Sequence, residues 1–168
     1  MSRATTVRLD LGALVHNLRR VRAAAPGRRV AAAVKAEGYG HGLVRTARAL
    51  DADAFAVACV EEALALREAG IDRRIVLLEG VFEADELPWC ARHALDIAVH
   101  QPEQLRMLEL ARLERPLRVW LKIDSGMHRL GLAPETTSAA FQRLRVCPAV
   151  QAEIGLMSHL ARADERDC

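Results

Sequence analysis

The sequence has few of the residues that build metal sites or disulfide frameworks. Its four cysteines stand at 59, 90, 147 and 168 and form no C-x-x-C pair, so zinc-ribbon and dithiol motifs are excluded and the thiols are expected to be reduced and mostly structural. The six histidines show no H-E-x-x-H or similar ligand spacing, and no metal centre is expected. No uninterrupted apolar run approaches the roughly 18–20 residues of a membrane span. The opening "MSRATTVRLD" lacks the apolar stretch of a secretory signal, so a cytoplasmic location and no membrane partner are expected. A formal net charge of +2 is too small to argue for nucleic acid. The local cluster Arg19, Arg20, Arg22, Arg28 and Arg29 falls on an amphipathic segment and reads as a solvated helix face. No G-x-G-x-x-G follows the first strand-like run, which lowers the dinucleotide-binding option.

What the sequence does contain is a repeated rhythm. Its 168 residues, 51% hydrophobic and 27% charged, suit one globular domain with a core. Short apolar runs recur: "VAAAV" (30–34), "AFAVACV" (54–60), "RIVLLEG" (74–80), "LDIAVH" (95–100), "LRVWLKID" (117–124) and "AEIGLMSH" (152–159). They are too continuous for strands wet on one face and read as parallel strands buried on both. Helical segments lie between them. Leu11, Leu14, Val15, Leu18 and Val21 form one stripe after an Asp10 N-cap. Gly70 is placed to end the helix of "EEALALREAG". Pro102 and Pro134 open two more helices.

This strand–helix alternation fits either a doubly wound sheet or a (β/α)8 barrel. Polar residues at the ends of successive runs (Lys35, Glu79, His100, Lys122 with Asp124, and His159) favour the barrel, where chemistry gathers at C-terminal strand ends. A full barrel takes about 250 residues, so the expected fold class is α/β, an incomplete TIM-type barrel of about five to six βα units.

Three stretches can carry chemistry. In "AAAVKAEGYGHG" (31–42), Lys35 stands where a buried strand gives way to a glycine-rich turn. An amine desolvated there can condense with a carbonyl and later move a proton; the plain alternative is a strand-end lysine snorkelling to water. In "LKIDSGMHRLGL" (121–132), Lys122 alternates with Leu121 and Ile123 and can face a barrel interior, while the Arg129 guanidinium suits a carboxylate. The alternative is a surface Lys–Asp pair with Arg129 capping a helix. In "LMSHLARADE" (156–165), His159 follows an apolar strand, where a lone histidine is more often a hydrogen-bonded core residue.

Together the three stretches resemble alanine racemase. "AVKAEGYGHG" is similar to that family's lysine signature, "KIDSGMHRLG" to its K-x-D-[ST]-G-M-x-R-L-G segment, and "LMSHLARADE" to its H-[FL]-A-x-A-D-E segment; "IVLLEGVFEADEL" is also familiar from bacterial members. Glu37 and Gly38 depart from the common Asn/Asp and Ala. The resemblance implies a pyridoxal 5'-phosphate-binding barrel in which Lys35 forms the internal aldimine and acts as the base on the D-alanine face. It implies that Tyr39 binds the cofactor phosphate, that Lys122 is a carbamylated lysine beside a substrate-orienting Arg129, and that His159 lies in the hydrogen-bond network near the cofactor ring. It further implies interconversion of L- and D-alanine for peptidoglycan and a homodimer whose partner subunit supplies a second, tyrosine base. Family members run longer, with a β-rich C-terminal domain. The chain is thus read as a leading strand over 1–10, resembling one that packs near that domain, followed by a partial barrel over 11–168. With Tyr39 its sole tyrosine, it is expected not to racemise efficiently alone. The competing readings are a non-catalytic pyridoxal-phosphate-binding barrel, a racemase of wider substrate range, and a structural remnant.

Overall fold

The computed structural model describes residues 6–165. All six apolar runs become strands: β1 (Ala31–Ala33), β2 (Ala54–Val57), β3 (Arg74–Leu77), β4 (Leu95–Val99), β5 (Arg118–Ile123) and β6 (Gly155–Ser158). They form one sheet in the order β1-β2-β3-β4-β5-β6, and every neighbouring pair is parallel. A doubly wound sheet reverses its strand order at a switch point. This order never reverses, so the strands form an arc of a barrel, as expected.

The connecting helices are α1 (Leu11–Ala24), α3 (Leu43–Ala49), α4 (Val60–Glu68), α5 (Glu86–Arg92), α6 (Pro102–Leu110) and α7 (Pro134–Arg145), with a short turn α2 (Lys35–Tyr39) directly after β1. Their ends follow local chemistry. Asp10 Oδ1 accepts the Ala13 N–H at 3.1 Å and caps α1. Helix α4 ends in a Schellman arrangement, with Gly70 (φ 76°) donating to the Arg67 carbonyl and Ile71 to that of Leu66. Pro102 and Pro134 occupy the first helical positions, where a missing N–H costs nothing.

Alternation sorts each strand between two faces. Phe55, Ile75, Leu77, Leu95, Ile97 and Leu121 are fully buried against the helices, where they meet Leu66, Leu87, Leu108 and Leu144. The opposite, inner face carries small residues on β2 and β4 (Ala54, Ala56, Ala98) and a large one on β5, Trp120. A Cβ on Gly155 would collide with the Trp120 ring, so glycine lets β6 pass close beside it. At the base of this face Asp96, 4% exposed, accepts from Trp120 Nε1 at 2.9 Å. Arg74 Nε stands 2.7 Å from Asp96 Oδ2 without a hydrogen-bonding angle, so that contact is chiefly Coulombic.

The arc is open at both ends. Ala31 and Ala33 of β1 are exposed, and Leu156 of β6 is 57% exposed. Helix α1, beside the β1 edge, buries only Leu18 of its expected apolar stripe, while Val21 is 49% exposed. The stripe lacks a full partner surface there. The leading strand expected over 1–10 lies half outside the described residues, and residues 6–10 carry no strand. No helix among the described residues is long and apolar enough to cross a membrane.

Candidate active site

Lys35 stands one residue past the last β1–β2 ladder bond, from Val34 N–H to the Ala56 carbonyl at 2.9 Å. Behind it the chain turns left-handed: Ala36, Glu37, Gly38 and Tyr39 have φ of 51°, 56°, 62° and 56°. Gly38 takes this conformation freely, but for each of the other residues it costs roughly 1–2 kcal/mol. Internal bonds hold the turn, from Gly38 N–H to Val34 O (2.7 Å), Gly40 N–H to Ala36 O (3.0 Å) and Gly42 N–H to Glu37 O (2.7 Å). The His41 ring nitrogen Nδ1 lies 2.9 Å from the Gly38 carbonyl, and Glu37 Oε2 accepts the Leu43 N–H at the start of α3. The unusual Glu37 thus fastens the turn to the next helix. Lys35 itself has no hydrogen bond or ion pair among the described residues, and Tyr39 is 61% exposed.

Lys122 is on β5 in register with Met157 of β6. Its neighbour Leu121 is fully buried under the helices, so Lys122 faces the inner side, as the alternation predicts. After β5 the chain loops and returns, with Leu132 N–H donating to the Lys122 carbonyl and Asp124 N–H to that of Leu132, both at 2.9 Å. Gly131 (φ 140°) sits at the crossing, where a Cβ would collide with the Asp124 backbone nitrogen. The Asp124 carboxylate accepts the N–H groups of Gly126 (2.9 Å) and His128 (3.1 Å), and these hold its pKa below the usual carboxylate value. This turn brings Arg129 back beside Lys122. Burial, and then the Arg129 charge, push the Lys122 amine below the ordinary lysine value, against the opposing pull of Asp124.

Lys122, Asp124, Arg129 and His159 line one recess of about 10 Å³. His159 is exposed beside the Ser125 turn, which Ser125 Oγ anchors 2.6 Å from Ser158 Oγ. Asp124 is paired with His128 rather than Lys122, and Arg129 precedes α7 without capping it, so the plain surface-pair reading of this segment does not hold. Lys35 and Tyr39 stand at the other edge of the arc. The structure therefore gathers three of the sequence-predicted residues and leaves two apart.

Another strand-end residue, His100, is structural. His100, 8% exposed, places Nε2 3.0 Å from the Glu79 carbonyl. Gln104 buries its amide between that carbonyl and those around it, donating to Glu79 O (2.8 Å) and Val81 O (3.0 Å) and accepting from His100 N–H (2.9 Å). The Cys90 thiol is pushed up to about 12 by burial and is no nucleophile. Among the described residues no group of His, Cys, Asp or Glu could hold a metal ion.

Sequence reasoning missed Glu62. Its carboxylate accepts the Ala36 N–H at 2.6 Å and the Ala58 N–H at 2.8 Å. Its place in the first turn of α4 was the only signal in the sequence, and that suggested no more than capping.

Fold and strand-end chemistry together define an α/β chain of the parallel-barrel class with amine, guanidinium and imidazole groups at C-terminal strand ends. The profile of the alanine racemase N-terminal domain matches residues 9–168, and the chain belongs to that family. It is 55% identical over 163 residues to the biosynthetic alanine racemase of Escherichia coli O6:H1, covering 96% of this chain and 45% of that protein. It is 54% identical over 166 residues to the alanine racemase of Pectobacterium carotovorum, covering 98% and 46%. The crystal structure of the biosynthetic alanine racemase from Pseudomonas aeruginosa superposes with a TM-score of 0.90 at 47% identity, over 95% of this chain and 45% of that one. That from Bacillus anthracis with bound L-Ala-P gives 0.79 at 29% identity, over 98% and 45%. The chain thus spans a little under half the length of the relatives it matches.

Proposed function

We propose that this chain is the cofactor-binding N-terminal part of an alanine racemase that interconverts L- and D-alanine with pyridoxal 5'-phosphate. The observation that carries the reading is Lys35, an amine without a partner among the described residues, at a C-terminal strand end and fixed on a strained left-handed turn. The residues around it fit the cofactor. Ala31 and Ala33 on the inner face leave room beside the amine, and the donor set offers an amine for an aldehyde and a phenol, Tyr39, for a phosphate.

When bound, the pyridine aldehyde supplies an electron sink that acidifies the alanine Cα–H. Lys35 would hold that aldehyde, and its amine would take and return the proton on the D-alanine face. Arg129 presents its guanidinium to the substrate carboxylate. His159 lies in the hydrogen-bond network near the ring. The depressed Lys122 amine takes up carbon dioxide in its neutral form: nitrogen bonds to the carbon, a proton leaves to water, and the resulting carbamate is an anion beside Arg129.

The second proton site is a tyrosine of a partner subunit in a homodimer, and the product serves peptidoglycan synthesis in the cytoplasm. Residues 1–168 alone do not racemise efficiently, because Tyr39 is their sole tyrosine and both sheet edges stand open.

The test is racemisation of L-alanine in D2O by the full-length protein. Deuterium at Cα of D-alanine is expected. Cofactor binding without exchange would instead indicate a non-catalytic carrier, and faster turnover of serine or lysine a broader racemase.

A further inference from the structure

We propose that Glu62 is a positioning residue for Lys35, its carboxylate fixing the peptide on the far side of the lysine; the proposal rests on the reading of Lys35 as the cofactor-binding amine. The β1–β2 ladder ends with Val34 N–H on the Ala56 carbonyl. Two residues on, Ala36 starts the left-handed turn, and among the described residues the acceptor for its N–H is Glu62 Oε1, at 2.6 Å. The other carboxylate oxygen takes the N–H of Ala58, the first residue past β2, at 2.8 Å. One side chain therefore continues the tie between two strands beyond the point where their own bonds stop. Lys35 is held on both sides, at Val34 by β2 and at Ala36 by Glu62.

Position favours this. Glu62 is half-buried in the first turn of α4, where the helix dipole stabilises an anion, and Val60 and Ala63 beside it are buried in the core. A glutamate at this third helical position that only capped α4 would reach back to the N–H at the N-cap, as the Ala58 bond nearly does, and no further; the bond to Ala36 is the one that capping does not explain. Both bonds of Glu62 go outside α4, one of them to a residue 26 positions away. The turn it secures has left-handed alanine, glutamate and tyrosine, which persist only where surroundings over-determine them. A small displacement of a reacting group carries a large kinetic cost, so loss of this tie should be felt at the Lys35 amine.

The test uses the full-length protein with Glu62→Gln and Glu62→Ala, and Glu61→Ala as the control for charge at the same helix end. Three quantities are read: the rate at which borohydride traps pyridoxal phosphate on Lys35, the exchange rate of the Ala36 amide, and the melting temperature without cofactor. Loss of a charged hydrogen-bond acceptor predicts trapping about tenfold slower and Ala36 exchange about tenfold faster in both Glu62 variants, with Glu61→Ala within about twofold of the unmodified protein. Glu62→Gln keeps the volume and one acceptor, so it carries the readout if Glu62→Ala fails to fold. Protection of Ala36 in the unmodified protein needs no variant at all. Unprotected exchange there, or normal trapping in the Glu62 variants with a melting temperature lowered as in Glu61→Ala, overturns the proposal alone. Absence of trapping in the unmodified protein overturns the reading of Lys35, and the proposal with it.

Discussion

Lys35 and Lys122 occupy equivalent places in the fold, each near the C-terminal end of a parallel strand, yet they are prepared for different chemistry. Only two of the 24 basic residues are lysines, and these are the two. Around Lys35 the inner face is alanine, no acidic side chain among the described residues pairs with the amine, and the backbone behind it is strained and externally tied. Around Lys122 the backbone is an ordinary strand, and the adjustment is electrostatic: burial and Arg129 depress the amine while Asp124 is turned away into its own loop. Position brings an amine to the barrel mouth, and the neighbours decide what it can do there. In the proposed reading the first is placed to bind and the second is tuned to be neutralised or modified.

Exchange of one lysine at a time should separate the two most strongly. Lys35→Ala in the full-length protein is expected to lower the racemisation rate by about 10²–10⁴-fold, the scale of a lost acid–base group. Comparable rates in Lys35→Ala and unmodified protein would erase the distinction. On the Lys122 side the backbone is the weak point. Gly131→Ala should cost about 2–3 kcal/mol of stability, since alanine is strained at φ 140° and its Cβ meets the Asp124 backbone. Denaturant titration measures this, and an unchanged midpoint would show that the loop adapts.

A third effect sharpens the electrostatic contrast. With the folded value of Lys122 lowered, the unfolded chain keeps its proton over the window between the folded and unfolded values, so stability rises with pH through that window. Arg129→Ala removes the second cause, and carbamate at this lysine, read by carbon NMR with labelled bicarbonate, should fall about threefold to tenfold at fixed pH. The smallest effect belongs to Asp124. Its depressed carboxyl contributes stability that is present above the usual carboxylate range and is lost as pH falls through the folded value. Asp124→Asn should flatten that acid limb, lowering neutral-pH melting slightly and leaving melting below the folded value nearly unmoved. An acid limb identical to that of the unmodified protein would contradict the assignment.

The six strands were legible because parallel strands covered on both faces become continuous apolar runs, and the helix ends because Asp10, Gly70, Pro102 and Pro134 act locally. Lys35, Lys122 and Arg129 were legible by position and by family signature. The left-handed course of Ala36, Glu37 and Tyr39 was not, since the glycine spacing points to 38, 40 and 42 while the conformation is stabilised by a carboxylate far along the chain. His100 reads as a free polar group at a strand end, but Gln104 one helical turn later buries it in a structural clasp. Asp96 sits unremarked in an apolar run because its partners, Arg74 and Trp120, come from the strands on either side and are visible only once the register is known.

Which amine takes the cofactor is the most direct test of the proposed function. The full-length protein, mixed with pyridoxal phosphate, reduced with borohydride and digested, should yield the adduct on the peptide containing Lys35, with the Lys122 peptide unmodified as the internal control. An adduct on Lys122, or none on either, would contradict it.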